Sequence, residues 1–315
     1  MQKTNRESNE TNNEERLVVL LNSLSMADLT ISKNEDDKFV KARTWDEWYK
    51  LATITKTVDR GRGALHYGFQ ALYDALIEGL VPPKLRREAV TLLGTYTRLA
   101  RHFLTEVIYT GGIEDVASSE DVHNDRKGSS PLGKLRSEFE KTQGIVSKMT
   151  STGVPYKTKQ RFTESKNMNA WHMQQFYYGL FDHLREEGDK TGTYRIPDSV
   201  VFCACGAFEP AAAVSGMLSI PIQAIRSSSS RKDTEPKVLS EHQRSLELSI
   251  RGKEVIVVDD YTLTAGTLKR VMEAVNILQP RAMRGVSIGC AYPDNLTEGL
   301  KLAETGSCFK LYEMK

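Results

Sequence analysis

The chain has 315 residues, of which 39% are hydrophobic, and its 43 Lys and Arg against 41 Asp and Glu give a net charge of +2. At roughly 100–200 residues per domain, this length indicates two domains or one core with a large helical annex. The composition excludes collagen-like, disulfide-rich and wholly disordered proteins. No apolar run reaches the ~18–20 residues of a membrane span, and residues 1–16 lack the apolar core of a secretory signal. We therefore expect a cytoplasmic protein without a membrane partner, while the balanced charge neither demands nor excludes nucleic acid.

The four cysteines do not have the spacing of a zinc site, which favours Cys-x-x-Cys or paired Cys and His. Each lies in a short apolar run of the kind that forms a strand. We interpret them as reduced core residues and expect no resident metal. They are Cys203, Cys205, Cys290 and Cys308.

The polar composition of residues 1–13 predicts a disordered tail, and the apolar pattern of residues 14–190 predicts a helical domain. Apolar residues recur at steps of three and four, which is the period of an amphipathic helix. An acidic loop is expected over 114–131, and Gly188 is the expected stop of the last helix. The predicted helices cover 39–52, 65–80, 83–107 (ended by Gly111-Gly112), 132–149 and 168–187.

Two further sets of residues in the helical half have structural interpretations. The aromatic residues keep helical spacing, so we expect them in the core; they are Trp45, Trp48, Tyr49, Tyr67, Tyr73 and Tyr96. Four arginines recur at helix-turn intervals and form either a solvated face or a basic stripe; they are Arg86, Arg87, Arg98 and Arg101.

Residues 195–315 have a different pattern, with short apolar runs that alternate with helix-like segments. Runs of about six apolar residues are typical of parallel strands buried on both faces. We therefore predict an α/β domain with a parallel sheet. The predicted strands cover 199–204, 221–225, 254–259, 284–291 and 308–313.

The most informative segment is KEVIVVDDYTLTAGTL, residues 253–268. A buried strand is followed by Asp259 and Asp260, then by a loop of hydroxyls and small residues, then by a helix. Ligands of open parallel sheets bind at the carboxyl ends of strands, and N–H groups at a helix N-terminus suit a phosphate. The two carboxylates would repel phosphate but can accept hydrogen bonds from sugar hydroxyls or lie near a metal, so a sugar phosphate fits the segment. The alternative is a solvated acidic turn before an N-capped helix, which many α/β proteins contain.

This segment resembles the phosphoribosyl-pyrophosphate (PRPP) signature of type I phosphoribosyltransferases. The resemblance implies that Asp259 and Asp260 bind the ribose hydroxyls and that PRPP arrives with Mg²⁺. It implies that the 5′-phosphate is held by Thr262, Thr264, Ala265, Gly266 and Thr267. Three residues depart from the family pattern: Tyr261 is larger than the usual aliphatic residue, and Leu263 and Ala265 stand where the family has a threonine and a glycine. An alanine there is tolerated at negative φ and strained at positive φ.

Two other segments occupy the places of family loops. Cys205, Gly206 and Ala207 follow the first core strand, where the family has its pyrophosphate loop. The negative charge of Glu209 is unfavourable for binding pyrophosphate. An ordinary turn between a strand and a helix is therefore an equal alternative. Residues 226–247 lie where the family has a mobile catalytic loop. Within this segment, the pairs Leu239-Ser240 and Gln243-Arg244 are loosely similar to the competence-protein ComF branch of the family. The expected catalytic cations are Arg231, Lys232 and Lys237, the alternative being a flexible surface loop.

These features support two classes of function. The first is an enzyme that transfers phosphoribose from PRPP to a nitrogen acceptor and releases pyrophosphate. The second is a non-catalytic module that senses a nucleotide or sugar phosphate. Related domains occur in bacterial antiviral defence, including retron-linked effectors, where the helical domain would act on nucleic acid or a protein. A structural protein with a degenerate site is a weaker alternative, and a homo-oligomer is left open.

Overall fold

The structure is a computed structural model that describes residues 58–110, 147–148, 151, 170–204, 206–227, 235–306 and 308–314. The expected tail, the expected helices over 39–52 and 132–149 (apart from 147–148) and the acidic loop lie outside the described residues. So do Trp45, Trp48 and Tyr49, and the side chain of Tyr67 is not described either.

Six α-helices are described, and three of them precede the sheet. The second helix begins at Pro83, because proline fits the first turn of a helix, where its missing N–H has no intrahelical partner. The helices are α1 (Val58–Ile77), α2 (Pro83–Thr110), α3 (Ala170–Thr191), α4 (Phe208–Leu218), α5 (Gln243–Ile250) and α6 (Gly266–Ile277). None of the helices in the described ranges is long and apolar enough to cross a membrane.

The sheet has six strands in the order β2-β1-β3-β4-β6-β5. β1 to β4 are mutually parallel, whereas β6 runs antiparallel to both β4 and β5. The strands are β1 (Ser199–Cys203), β2 (Ile222–Ile225), β3 (Glu254–Thr262), β4 (Ala282–Cys290), β5 (Leu300–Thr305) and β6 (Lys310–Met314). The α/β fold predicted for the C-terminal part is therefore confirmed, with an antiparallel edge added to the parallel sheet.

Helices α1 and α2 pack on α4 and on the β2 side of the sheet. The ring of Phe69 stacks on Phe208 at a centroid distance of 4.1 Å and lies 5.5 Å from Phe202. The hydroxyl of Tyr73 donates to the backbone oxygen of Ala224 in the edge strand at 2.9 Å. α2 crosses α4 at Gly216, where a Cβ would lie 2.7 Å from a backbone oxygen of α2. The described helices thus share one hydrophobic core with the sheet.

Helix α3 packs near β4 and the β5–β6 hairpin. A Cβ on Gly179 would lie 2.4 Å from the side chain of Phe309, so glycine allows the close approach. His183 contacts Glu304 of β5 through Nδ1 at 2.7 Å. The helix continues past Gly188, the expected stop, and ends at Thr191 before Gly192, whose φ is +68°. Gly192 adopts the left-handed conformation that ends many helices, and that is why the helix ends there.

Three other expectations differ from the structure. β3 extends to Thr262, three residues past its predicted end at 259, so Asp260 as well as Asp259 lies inside the strand. Residues 226–247 include a 3₁₀ turn at Ser240–His242 and the start of α5, so the predicted loop is shorter. β5 was not predicted, because its exposed and buried residues alternate and give no continuous apolar run. Cys203 and Cys290 lie in strands, whereas Cys308 is buried just before β6.

Candidate functional site

Asp259 and Asp260 are buried in the last part of β3, where only 6% and 9% of their surfaces are exposed. The backbone N–H of Asp260 donates to Oδ1 of Asp259 at 3.0 Å, and the two side chains hydrogen-bond to each other. The thiol of Cys203, at the end of the neighbouring strand β1, also hydrogen-bonds to Asp259. Two carboxyl groups therefore form one close pair at the carboxyl end of the sheet.

The burial of this pair changes its protonation. Burial raises the pKa of Asp259 well above 3.8, and the negative charge of Asp260 raises it further. Burial also raises the pKa of Asp260, although backbone N–H groups oppose the change. Because two adjacent carboxylates repel each other, the pair keeps its last proton to higher pH than a single exposed carboxyl group.

The chain after β3 turns through exposed Leu263 and Thr264 into helix α6. Ala265 is the N-cap of α6 with φ +58° and ψ +20°, and it is buried. This is the positive φ at which an alanine is strained, by roughly 1–2 kcal/mol relative to the right-handed conformation. Gly266 and Thr267 form the first turn of α6, whose N–H groups have no partners within the helix. The turn therefore offers N–H donors beside an exposed hydroxyl.

The segment between β4 and β5 holds this turn in place. Both the backbone N–H and the hydroxyl of Thr297 donate to the backbone oxygen of Thr264 at 2.8 Å. The N–H of Tyr292 donates to the oxygen of Leu263 at 3.1 Å. Sequence reasoning missed Thr297, because it lies 33 residues from Thr264 and belongs to no motif. Thr297 supports the turn from outside.

The residues packed around Tyr261 and Thr262 explain why a large aromatic side chain and a buried hydroxyl fit at these two positions of the signature. Tyr261 packs over Gly289 of β4, where a Cβ would lie 2.3 Å from its ring, so a glycine gives the large side chain its room. The hydroxyl of Thr262 donates to the backbone oxygen of Gly289 at 3.2 Å and is 2.9 Å from the hydroxyl of Tyr312. Thr262 thus lies in a buried polar network beneath the turn, whereas the hydroxyl of Thr264 is exposed.

Arg270 brings a positive charge to α6 one turn after Thr267. Its Nε donates to the hydroxyl of Ser227 at 3.0 Å, and its Nη2 lies 3.5 Å from the hydroxyl of Thr267. The guanidinium therefore connects the first turn of α6 to the chain just after β2. The sequence analysis did not single out Arg270, although its position four residues after Gly266 on a helix would place it near that turn.

The expected pyrophosphate loop forms a tight turn between β1 and α4. The N–H groups of Gly206 and Ala207 both donate to the backbone oxygen of Cys203, at 3.3 and 3.2 Å. Cys205 lies outside the described residues. Glu209 is buried in the first turn of α4, where a negative charge is favourable toward the helix dipole. In this conformation the two N–H groups already have acceptors, so their binding of pyrophosphate stays a prediction.

The expected catalytic loop is joined at its base by an isolated antiparallel bridge. Arg226 and Lys237 exchange backbone hydrogen bonds of 2.8 Å in both directions. The side chain of Lys237 is exposed, whereas Arg231 and Lys232 lie outside the described residues. Within the described ranges, no group of three or more His, Cys, Asp or Glu could hold a metal ion.

Comparison with known proteins identifies this part of the chain. The family model of the phosphoribosyl transferase domain matches residues 184–301, which include β1 to β4, α4 to α6 and the Asp259–Asp260 pair. The C-terminal part of the chain contains a type I phosphoribosyltransferase domain. A solved purine phosphoribosyltransferase from Pyrococcus horikoshii is similar, at 22% identity and a TM-score of 0.29 over 39% of this chain and 76% of that chain. No curated protein matches.

The phosphoribosyltransferase domain has, in general terms, a PRPP-binding function. Its matched residues begin inside α3 and end at Lys301 in β5, so the family model includes neither α1, α2 nor β6. Helix α1 nevertheless packs on the domain, as the contacts of Phe69 with Phe208 and of Tyr73 with Ala224 show. The helices that precede the match complete the hydrophobic core of the phosphoribosyltransferase domain.

Proposed function

We propose that this protein binds Mg²⁺–PRPP at the carboxyl end of β3 and transfers its phosphoribose to a nitrogen acceptor. Asp259 and Asp260 accept hydrogen bonds from the ribose hydroxyls. The N–H groups of Ala265, Gly266 and Thr267, with the hydroxyl of Thr264, hold the 5′-phosphate. The Mg²⁺ belongs to the substrate, since it arrives bound to the pyrophosphate oxygens of PRPP.

A single observation carries this proposal: two adjacent buried carboxyl groups lie shortly before the turn that leads into the N-terminus of α6. A buried charge is costly unless it is hydrogen-bonded. Ribose hydroxyls supply the donors that two adjacent carboxylates need. The partial positive charge at the start of α6 then favours the phosphate on the same sugar.

The reaction breaks the bond between the anomeric carbon and the pyrophosphate oxygen, and the electron pair leaves with pyrophosphate. The acceptor nitrogen forms the new bond to that carbon and loses its proton to solvent. Because positive charge develops on the sugar, catalysis is mainly positioning and stabilisation of the leaving group. Arg231, Lys232 and Lys237 supply cations from the loop, and Arg270 supplies one from α6.

A pyrophosphate-release assay tests the enzymatic proposal. Wild-type protein is mixed with Mg²⁺–PRPP and each candidate base, and pyrophosphate is measured with a coupled enzyme. We expect release that depends on one acceptor and falls at least about tenfold in Lys237→Ala, since one fixed cation on a leaving diphosphate contributes roughly 1.4 kcal/mol or more. The matched control, Lys253→Ala, removes an exposed lysine at the opposite end of β3 and should keep full activity. Tight PRPP binding without release for any acceptor would contradict transfer.

That contradicting result would favour the second function, a sensor of PRPP or a nucleotide. Two observations support this alternative. Ala265 is strained where a glycine would not be, and the N–H groups of Gly206 and Ala207 are already bonded within their turn. A protein-stability assay discriminates the two functions, because a sensor should be stabilised by the nucleotide it senses and turn over no PRPP.

A further inference from the structure

Three buried hydroxyl groups meet beneath the turn that leads into α6. The hydroxyl of Tyr312 on β6 lies 2.9 Å from that of Thr262 on β3 and 3.0 Å from that of Ser287 on β4. The hydroxyls of Thr262 and Ser287 also lie 3.2 and 3.0 Å from the backbone oxygen of Gly289. None of the three hydroxyl-bearing residues is more than 3% exposed. Hydroxyl groups therefore join three strands at one point inside the protein.

We propose that Tyr312 is a positioning residue for the 5′-phosphate of PRPP, because its hydroxyl holds the end of β3 where the turn before α6 begins. This inference rests on the proposed function, which assigns the 5′-phosphate to that turn. Tyr312 is fully buried, so it acts through Thr262 and does not touch PRPP itself. It lies beyond residue 301, the last residue that the family model matches. The family signature therefore contains no position that corresponds to it.

The backbone connects Thr262 directly to the turn. Thr262 is the last residue of β3, and three successive backbone oxygens, from Thr262 to Thr264, accept N–H groups from the segment after β4. The donors are Ala291, Tyr292 and Thr297, at distances of 2.9, 3.1 and 2.8 Å. Because the three acceptors are consecutive, a shift of Thr262 moves all of them together. The contact between Tyr312 and Thr262 therefore fixes the turn from the side opposite to solvent.

The chemistry of the hydroxyl groups supports a role in geometry. Burial raises the pKa of Tyr312 above its usual value of 10, so the hydroxyl keeps its proton. It can therefore donate to one neighbouring hydroxyl and accept from the other. Apolar side chains of the same shape would cost little stability in these positions. What the hydrogen bonds add is a unique arrangement, and a binding site must hold its groups to within about 0.5 Å.

Calorimetric titration of Mg²⁺–PRPP into the full-length protein tests the inference. Tyr312→Phe removes only the hydroxyl and leaves Thr262 and Ser287 with the oxygen of Gly289 as an acceptor, so this variant should fold. We expect it to bind PRPP roughly three- to tenfold more weakly, which is the effect of one hydrogen bond. Thr262→Val should weaken binding equally. The double variant should bind no more weakly than either, because all three changes remove the same contact.

The matched control is Tyr73→Phe, which removes an equally buried hydroxyl whose acceptor is the backbone oxygen of Ala224 in β2. Its binding of PRPP should equal that of the wild type. A second measurement, amide hydrogen exchange by NMR, needs no ligand. Exchange at the N–H groups that donate to the turn should be at least about threefold faster in Tyr312→Phe and unchanged in Tyr73→Phe. These N–H groups belong to Ala291, Tyr292 and Thr297.

A merely structural role for Tyr312 would lower the melting temperature and nothing else. The inference is overturned if Tyr312→Phe binds PRPP like the wild type, or if exchange at the three N–H groups is unchanged. Additive losses in the double variant would also overturn it, because Thr262 would then bind the phosphate directly. If the wild type binds no PRPP, the proposed function fails, and the exchange measurement alone decides whether Tyr312 fixes the turn.

Discussion

At the scale of residues, the Asp259–Asp260 pair is maintained at a cost in stability. Both carboxyl groups are buried and their pKa values are raised above 3.8. Between 3.8 and the raised values, the folded chain therefore holds more protons than the unfolded chain. The free energy of unfolding consequently falls as pH rises through that window. Residues that lower stability in this way are typical of functional sites.

Asp260→Asn should therefore make the protein more stable at neutral pH and weaken its binding of PRPP. The substitution removes one buried charge, so the gain in stability should be largest above the window. It should shrink as the pH falls toward 3.8 and vanish only well below 3.8, where the carboxyls are protonated in both states. Urea unfolding from pH 4 to 8 measures it. Asp294→Asn, which changes an exposed aspartate, should leave the pH profile unchanged. A variant less stable than wild type throughout this range would contradict the buried-charge account.

Ala265 gives a second prediction at this scale. Because its φ of +58° is strained for alanine but not for glycine, Ala265→Gly should relieve strain that offsets the loss of a buried methyl group. The matched control is Ala213→Gly, which removes an equally buried methyl from the right-handed helix α4. We expect Ala265→Gly to lower the free energy of unfolding by about 1 kcal/mol less than the control does. Equal losses in urea unfolding would show that Ala265 is unstrained.

At the scale of elements, a buried ion pair joins α1 to the end of β2. Nη1 of Arg226 lies 3.4 Å from Oδ1 of Asp74 and 3.3 Å from Glu78, and both Arg226 and Asp74 are almost fully buried. Arg226 also forms the backbone bridge at the base of the expected catalytic loop. The position of that loop therefore depends on α1, an element that the family model does not include.

Asp74→Ala should destabilise the protein by up to about 3–5 kcal/mol, because it removes the buried one of the two carboxylates that lie beside Arg226. The double variant Asp74→Leu/Arg226→Met should recover most of this loss, since replacing both charges by apolar side chains removes the cost of burying them. Chemical denaturation of the three proteins measures the effect. The account is wrong if the double variant loses as much stability as Asp74→Ala does alone.

The sequence predicted those elements whose pattern is local. The helical period of Leu92 and Tyr96 predicted α2, and the apolar run 255–258 predicted β3. The sequence did not predict β5, because this edge strand pairs only with β6 and its alternating exposed and buried residues form no continuous apolar run. The end of α3 at Thr191 was missed because Gly188 is followed by residues that continue the helix, and a Cβ there would meet the ring of Tyr194. The residue at which a helix ends depends on tertiary contacts that cannot be read from the sequence.

At the scale of the whole molecule, the described helices and the sheet share one hydrophobic core, and we expect them to unfold as one cooperative unit. Phe69 of α1 stacks on Phe208 and contacts Phe202, so the first helix supplies part of the core under β1. We expect Phe69→Ala to lower the free energy of unfolding by about 3–5 kcal/mol and to leave a single unfolding transition. Leu248→Ala, at a side chain that is 69% exposed, should change it by less than about 0.5 kcal/mol. Two separate transitions by calorimetry would show instead that the helical part folds alone.

The candidate site was predictable only where its residues are contiguous. Asp259 to Thr267 form one segment whose order indicates the chemistry, and the structure brings them together as a strand, a turn and a helix. Cys203, Thr297 and Tyr312 reach the same place from other strands and loops. No spacing rule connects residues that are 30 to 60 positions apart, so these supporting contacts needed the fold.

The most direct test is calorimetric titration of Mg²⁺–PRPP into the wild-type chain and into Asp259→Asn/Asp260→Asn. One PRPP should bind per wild-type chain. The double variant should bind at least roughly 150-fold more weakly or not at all, because it loses hydrogen bonds to two carboxylates and each contributes about 1.5–3 kcal/mol. Asp294→Asn should bind like wild type. Absence of binding to the wild-type chain, or undiminished binding to the double variant, would contradict the assignment of the PRPP site to β3.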